Sequence, residues 1–272
     1  MKIFLIFKLG INEYITGLKN YQSWFFLGYH EILLKYRRSI LGPIWSTITV
    51  VLLIILLSFL WSKIFSLKLD LYVPYFSIGY ILWIFFSNTL SESCSVLSDN
   101  TTIIKQTNIP VLSFSLKLLF KNIFLLAHNS IIIIIVLLLF CDVNLIDLFV
   151  SLSFLILMFV FLINLSVFIS IISARFFDFS QLVINLIQLA FFLTPIIWEP
   201  SFLGDKIWVT QLNPLYHWFD FIRQPLIGGD ISNLSLAVII SSLIISFFLA
   251  FFSIGLVFFI LLASNYHLGD EL

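Results

Sequence analysis

Apolar residues fall in long blocks along this chain, and polar residues collect between the blocks. A helix crossing the hydrocarbon core of a bilayer needs about 20 mostly apolar residues. Six stretches answer to that: Pro43–Trp61, Pro74–Ser95, Leu118–Phe140, Leu148–Ile172, Leu182–Trp198 and Leu234–Ala263. Lipid gives the backbone no hydrogen-bond partner, so each is expected as a helix and not as an open strand. Pro195 interrupts the end of the fifth, and the sixth is long enough to tilt. The pattern predicts an all-α, polytopic integral membrane protein of six transmembrane helices.

Basic residues concentrate on the cytoplasmic side of membrane proteins. With the N-terminus inside, Lys2, Lys8, Lys19, Lys35, Arg37, Arg38, Lys105, Lys117, Lys121 and Arg175 share that side, and Lys63, Lys68, Lys206 and Arg223 lie opposite. The bias favours N-in, and six spans return the C-terminus inside as well. This divides the chain into a cytoplasmic segment 1–42, a transmembrane domain 43–264 and a cytoplasmic tail 265–272.

Wound as a helix, Trp24–Leu41 places Phe25, Tyr29, Ile32, Leu33, Tyr36 and Ile40 on one face and His30, Glu31, Lys35, Arg37 and Arg38 on the other. Glu31 and Lys35 stand in favourable i,i+4 register. Such a helix lies in the cytoplasmic interface of the bilayer, or packs, solvated, on a partner protein. Gly42-Pro43 then breaks it and turns the chain into the membrane. The cytoplasmic loop 98–113 opens on Asp99-Asn100-Thr101, a helix-capping run, and ends near Pro110, which predicts a short helix parallel to the membrane surface. Beyond the fifth span, Thr194–Pro200 breaks the helix. The loop 195–232 then mixes Trp208, Tyr216, Trp218 and Phe221 with polar residues, a composition suited to short re-entrant helices in the outer leaflet or to an exposed loop.

Composition agrees with lipid as the solvent: 61% of residues are hydrophobic and 10% charged, against roughly 25% charged in a soluble domain. The formal net charge of zero leaves no basic stripe for nucleic acid. The 32 phenylalanines fit either the codon bias of an AT-rich genome or an aromatic lining for a sugar path. Cys94 and Cys141 fall on opposite membrane faces in this topology, which argues against a disulfide, and no CxxC or Cys/His cluster suggests a metal. The apolar run Ile3–Phe7 is too short for a cleavable signal.

Nucleotide hydrolysis needs a glycine-rich loop ending in Gly-Lys-Ser/Thr, and the chain contains no Gly-Lys pair. Any ATP hydrolysis is therefore expected on another polypeptide, and no cofactor is expected here. Within the spans, His128 and Glu92 read as structural or interfacial groups more than as relays. Asn122, Asn129, Asn164 and Gln188 are suited to joining helix to helix. That points away from ion coupling. Asp142, Asp147, Asp220 and Arg223 lie in turns or loops without a nucleophile and base at recognisable spacing, so no catalytic residue is assigned.

The junction Tyr36-Arg37-Arg38-Ser39-Ile40-Leu41-Gly42-Pro43-Ile44-Trp45 closely resembles the YRRSxLGPxW segment of type 2 ABC exporter permeases. It evokes the subfamily that exports lipid-linked polysaccharides such as the O-antigen of lipopolysaccharide, capsule and teichoic acid. Further segments are similar in the same order: Asn100–Lys105 followed by Pro110, Ala174–Asp178, Thr194–Trp198, and Asn213-Pro214 with Arg223. The chain departs from the pattern at Thr107–Pro110, which lacks an aromatic before the proline, and at Phe177, where relatives often have a second arginine.

The resemblance implies a permease of the bacterial plasma (inner) membrane in which two copies form the path. Two separate ATPase subunits, holding ATP and Mg, would drive it. The loop 98–113 would be the coupling loop, with Asn100, Ile104, Lys105 and Pro110 receiving the ATPase motion. Arg37 and Arg38 would be positive-inside anchors, or would bind the diphosphate of a lipid-linked glycan. Arg175 and Asp178 would brace an inner gate or simply neutralise a loop. The loop 195–232 would be the outer gate, where Trp198, Trp208, Tyr216 and Trp218 would stack on sugars or anchor at headgroups. Asn213, Pro214 and Arg223 would form its outer motif. A drug or small lipid is the alternative cargo, and an ion-coupled carrier or membrane enzyme is a third reading.

Overall fold

A computed structural model describes residues 14–107, 109–206 and 208–228 of the chain. The expected sixth span Leu234–Ala263, the tail 265–272 and the placement of the C-terminus lie outside those residues. Among the described residues all regular structure is helical. In order these are α1 (Tyr21–Tyr36), α2 (Ile44–Ile64), α3 (Leu69–Ser93), α4 (Val96–Asp99), α5 (Thr101–Gln106), α6 (Val111–Phe140), α7 (Leu145–Arg175) and α8 (Phe177–Leu193). A 3-10 turn (Pro200–Lys206), α9 (Trp208–Gln211) and α10 (Pro214–Leu226) follow.

Four of these, α2, α3, α6 and α7, are long and apolar enough to cross a membrane, and they match the first four expected spans. The fifth differs. α8 has 17 residues and stops at Leu193, because Thr194 adopts an extended conformation (φ −92°, ψ 131°) before Pro195. A residue preceding proline is sterically pushed out of the helical region. α6 begins at Val111 and not at Leu118. Its first turns carry Ser113, Ser115, Lys117 and Lys121, which interrupt the apolar pattern, yet all four are buried against protein. With 30 and 31 residues, α6 and α7 are each about 45 Å long, well beyond a hydrocarbon core of about 30 Å.

α3 is the central helix, packed by α2, α6, α7, α8 and α10. Its Tyr72, Tyr75, Phe76, Trp83, Phe85 and Phe86 are all buried. α2 and α8 instead expose Leu52, Leu56, Phe59, Leu182, Leu189 and Phe192. Apolar burial gives little drive between helices in lipid, so small and polar side chains hold the bundle. Ser93 Oγ donates to Ser166 Oγ at 2.7 Å between α3 and α7, and Ser151 Oγ to the Ile222 carbonyl at 2.8 Å between α7 and α10. The expected helix-joining asparagines do so: Thr47 donates to Asn129 at 3.2 Å, Tyr14 to Asn164 at 2.6 Å, and Asn122 to Glu92 at 2.9 Å. Gln188 does not. It stands exposed on α8 with no partner among the described residues.

The N-terminal helix ends earlier than its pattern suggests. α1 stops at Tyr36, and Arg37 and Arg38 form a turn. The Ser39 N–H closes that turn on the Tyr36 carbonyl at 2.9 Å, and the Ser39 hydroxyl accepts the Gly42 N–H at 3.0 Å. Its apolar face is also divided. Ile32 turns inward with Gly28, while Phe25, Tyr29 and Leu33 remain exposed, as an interfacial helix requires. Glu31 does not pair with Lys35; it reaches across to Lys117 and Lys121 of α6.

Gly42 sits at φ 56° with open space around its Cα. Gly42→Ala therefore adds a Cβ that meets no clash and is strained only by the left-handed backbone, at about 1–2 kcal/mol. We expect a lowered thermal midpoint in detergent, with Ser46→Ala as the nearby control that leaves φ at Gly42 untouched.

Candidate functional site

Two polar clusters lie at opposite ends of the long helices. At the end holding residues expected in the cytoplasm (the inner end), Glu31 Oε2 pairs with Lys117 Nζ at 2.8 Å, and Glu31 Oε1 with Lys121 Nζ at 2.6 Å. Lys121 also contacts Glu92 Oε2 at 3.1 Å, where Asn122 adds a hydrogen bond at 2.9 Å. Lys117 donates to Asn100 Oδ1 at 3.0 Å. Both lysine side chains are only 9% exposed. Burial pushes the Glu31 carboxyl upward, but the hydrogen bonds and charges of the two lysines outweigh that and hold it below its ordinary value of 4.5.

This cluster recasts the loop 98–113. The expected helix is two short ones, α4 and α5, meeting at Asn100. Asn100 is buried and does not cap α5 with its side chain; it donates to the Val96 carbonyl at 2.6 Å and accepts from Lys117. The lysine ammonium competes for the same oxygen that a cap would use. Ile104 packs against Val96, Phe114 and Leu118. Pro110 is buried at the start of α6, and Lys105 is exposed.

Arg37 and Arg38 are exposed in their turn, and neither makes an ion pair among the described residues. Arg175 and Asp178 are both exposed, and no ion pair joins them. Arg175 ends α7, Phe176 is extended (φ −125°, ψ 101°), and Asp178 opens α8. Each charge thus sits at the helix end whose dipole it favours, and the extended residue separates them. The Arg175 guanidinium lies 5.9 Å from the centre of the Phe176 ring.

The outer end is built around the broken terminus of α8. A helix end inside a bilayer leaves carbonyls without partners. Asn213 Nδ2 donates to the Leu193 carbonyl at 3.2 Å and to Thr194 Oγ1 at 3.0 Å, while its Oδ1 accepts the Leu215 N–H at 2.9 Å and so caps α10. Pro214 occupies the first position of α10, where its fixed φ suits a helix start. Arg223 Nη1 donates to the Pro195 carbonyl at 3.1 Å. Tyr75 lies 2.9 Å from the Pro195 carbonyl and 3.1 Å from that of Trp198, and Tyr72 donates to the Ile197 carbonyl. Arg223 is fully buried, ion-paired with Asp220 at 3.0 Å, its guanidinium 3.6 Å from the centre of the Tyr75 ring. A Cβ at Gly79 would stand 3.1 Å from Arg223 Nη1, so only glycine gives the guanidinium this much room.

α10 is wedged between α3 and α7. Trp218 stacks on Phe161 at 5.6 Å, Phe221 lies 5.0 Å from Phe154, and Phe219 6.0 Å from Trp83. Phe161 lies about 24 Å along α7 from its start, so the segment after α8 reaches deep beside the bundle. This corrects the expectation for Trp218 alone among the aromatics expected to stack on sugars or anchor at headgroups. Trp218 is core, and the Trp198 indole is engaged with the Phe192 carbonyl at 3.1 Å. Trp208 is exposed. Tyr216 lines a cavity of about 600 Å³ with Asp70, Tyr75, Asp142, Glu199 and Gln224. Cys141 lines the same cavity, whereas Cys94 is buried at the inner end of α3.

Lys117 and Lys121, Glu31 and Glu92, and Tyr72 and Tyr75 were not singled out as site residues from sequence. Two lysines one turn apart, near a lone carboxylate at a span end, were the available signal for the inner cluster. The tyrosines carry no such signal.

The family model described as ABC-2 type transporter matches residues 22–227, a range that takes in both clusters. None of the curated proteins compared with the chain matches it.

Two outcomes are expected from this geometry. Arg223→Gln leaves the half-buried Asp220, which keeps its bond from Gln224, and the Pro195 carbonyl without their cation, costing about 3 kcal/mol. Arg223→Lys recovers little, lacking the planar fork; thermal unfolding of the purified protein checks both. The lowered Glu31 value means that its stabilising contribution is complete above pH 4.5 and is lost only as pH falls through the lower folded-state value. A fluorescent probe on α1 should report detachment in that acid range, and Glu31→Gln should abolish the transition.

Proposed function

Since the chain belongs to the ABC-2 type transporter family, and is a transmembrane permease component of such a system, we propose that it exports a lipid-linked polysaccharide across the bacterial plasma membrane. A second copy completes the path, and two separate ATP-binding subunits supply the work, holding ATP and Mg themselves. The observation that carries the cargo reading is the turn at Arg37 and Arg38. Two adjacent guanidinium groups stand exposed where the interfacial helix meets the first span, uncommitted to any ion pair among the described residues. A planar guanidinium matches the oxygens of a diphosphate. A lipid-linked glycan presents a diphosphate at this depth while its prenyl chain stays in the bilayer.

The second copy is supported by α8. Gln181, Asn185 and Gln188 recur at i, i+4 and i+7, all exposed, and Gln181 bonds Asn185 at 3.1 Å on that face. An amide row facing hydrocarbon is unfavourable, so this face belongs against another copy or a water-filled path. α4 and α5 are the elements on which the ATP-binding subunits press. Export of a drug or small lipid is the alternative, and would leave the arginine pair as a topological anchor.

The deciding measurement is ATP hydrolysis by the permease–ATPase complex in vesicles, with and without a polyprenyl-diphosphate oligosaccharide. The oligosaccharide should stimulate the parent complex. Changing both Arg37 and Arg38 to Ala should weaken the half-saturating concentration about tenfold or more, as expected when charge-assisted hydrogen bonds of about 1.5–3 kcal/mol are removed. Lysines at both positions should recover part of it. Equal stimulation by an amphiphilic drug, unchanged in the Ala variant, would overturn the polysaccharide reading.

A further inference from the structure

We propose that Glu31, Lys117 and Lys121 form an ionic linkage that carries displacement of the α4–α5 segment to the interfacial helix α1 and to the inner end of α3. The inference rests on the reading above that α4 and α5 receive the ATPase motion. The contacts run as one connected series. Asn100, at the junction of α4 and α5, is held by Lys117; Lys117 is held by one oxygen of Glu31; the other oxygen holds Lys121; and Lys121 holds Glu92 of α3. Each ammonium holds two partners at once, so displacement of Asn100 loads Glu31 directly through Lys117 and loads Glu92 through Lys121.

Three features make this a transmitting element in addition to packing. The two lysines are adjacent turns of one helix, which fixes their spacing along the α6 axis. The lysine side chains are nearly buried, while Glu31 and Glu92 keep 37% and 35% of theirs exposed, so each ammonium is held from the protein side. α1, for its part, leaves Phe25, Tyr29 and Leu33 exposed, and only Gly28 and Ile32 are buried. The ion pairs of Glu31 are thus the polar attachment of α1 to the bundle among the described residues, and they run through the same lysine that holds Asn100. Glu31 is a positioning residue: it touches neither nucleotide nor cargo.

The test uses the full permease–ATPase complex in lipid nanodiscs and needs no cargo. In a Cys94→Ser, Cys141→Ser background, Ser201→Cys places an exposed thiol in the outer segment, and its maleimide labelling rate is compared with and without ATP and vanadate. ATP should change the rate roughly fivefold or more in the parent, the lower range of coupling between distant sites. Glu31→Gln should keep ATP hydrolysis within about twofold of the parent while the labelling response falls to about unity. Glu31→Asp should retain part of the response, and Asn100→Ala, a neutral change at the far end of the chain, should lose it as Glu31→Gln does. A parental response preserved in Glu31→Gln or in Asn100→Ala overturns the linkage alone. A parent whose outer segment ignores ATP overturns the transporter mechanism and the linkage with it. Should Glu31→Gln not assemble with its ATPase, the Asn100→Ala result decides by itself.

Discussion

Hydrocarbon accepts no hydrogen bonds, and this fold answers to that constraint most visibly where α8 stops. Proline ends the helix at Leu193 and turns out carbonyls that have no partner within the helix. The chain then doubles back so that Asn213 and Arg223 reach those carbonyls from one side and Tyr72 and Tyr75 from the other. The position of α10, the burial of Arg223 and the glycine at 79 all follow from that requirement. The cation is tolerable in such a place only because Asp220, a carbonyl and a tyrosine ring surround it.

The two ends of the bundle meet their polar demands by opposite means. The outer end uses neutral donors and one arginine to close a backbone break, and its partners come from α3, α10 and the segment between α8 and α9. The inner end has intact helices and spends its charges on joining separate elements: an interfacial helix, a pair of short helices and two spans. Fixed geometry suits a closure. Charges distributed over several bodies suit a region that changes arrangement while remaining neutralised.

Much of this was legible beforehand, for identifiable reasons. Long apolar runs located α2, α3, α6 and α7, since lipid imposes length and composition together. The helix-breaking chemistry of Pro195 and of Gly42-Pro43 was also readable, although α1 ends ahead of the glycine because Ser39 closes a turn first. What failed was the choice of a particular partner distant in sequence. Glu31 chose Lys117 and Lys121 over its neighbour Lys35, Asn100 chose Lys117 over its own helix, and Trp218 was claimed by Phe161. The start of α6 was hidden for the same reason. Its serines and lysines face protein, and hydropathy cannot tell a polar residue facing protein from one facing water.

The length of α6 has a mechanical side. One unbroken rod of 30 residues carries Lys117 and Lys121 near its first end and Phe140, beside the outer cavity, at its last. Pivoting such a lever arm by about 5° about its inner end sweeps the far tip through roughly 4 Å over a 45 Å length. A nudge too small to register where it is applied thus arrives, magnified by leverage alone, at the mouth of the cavity.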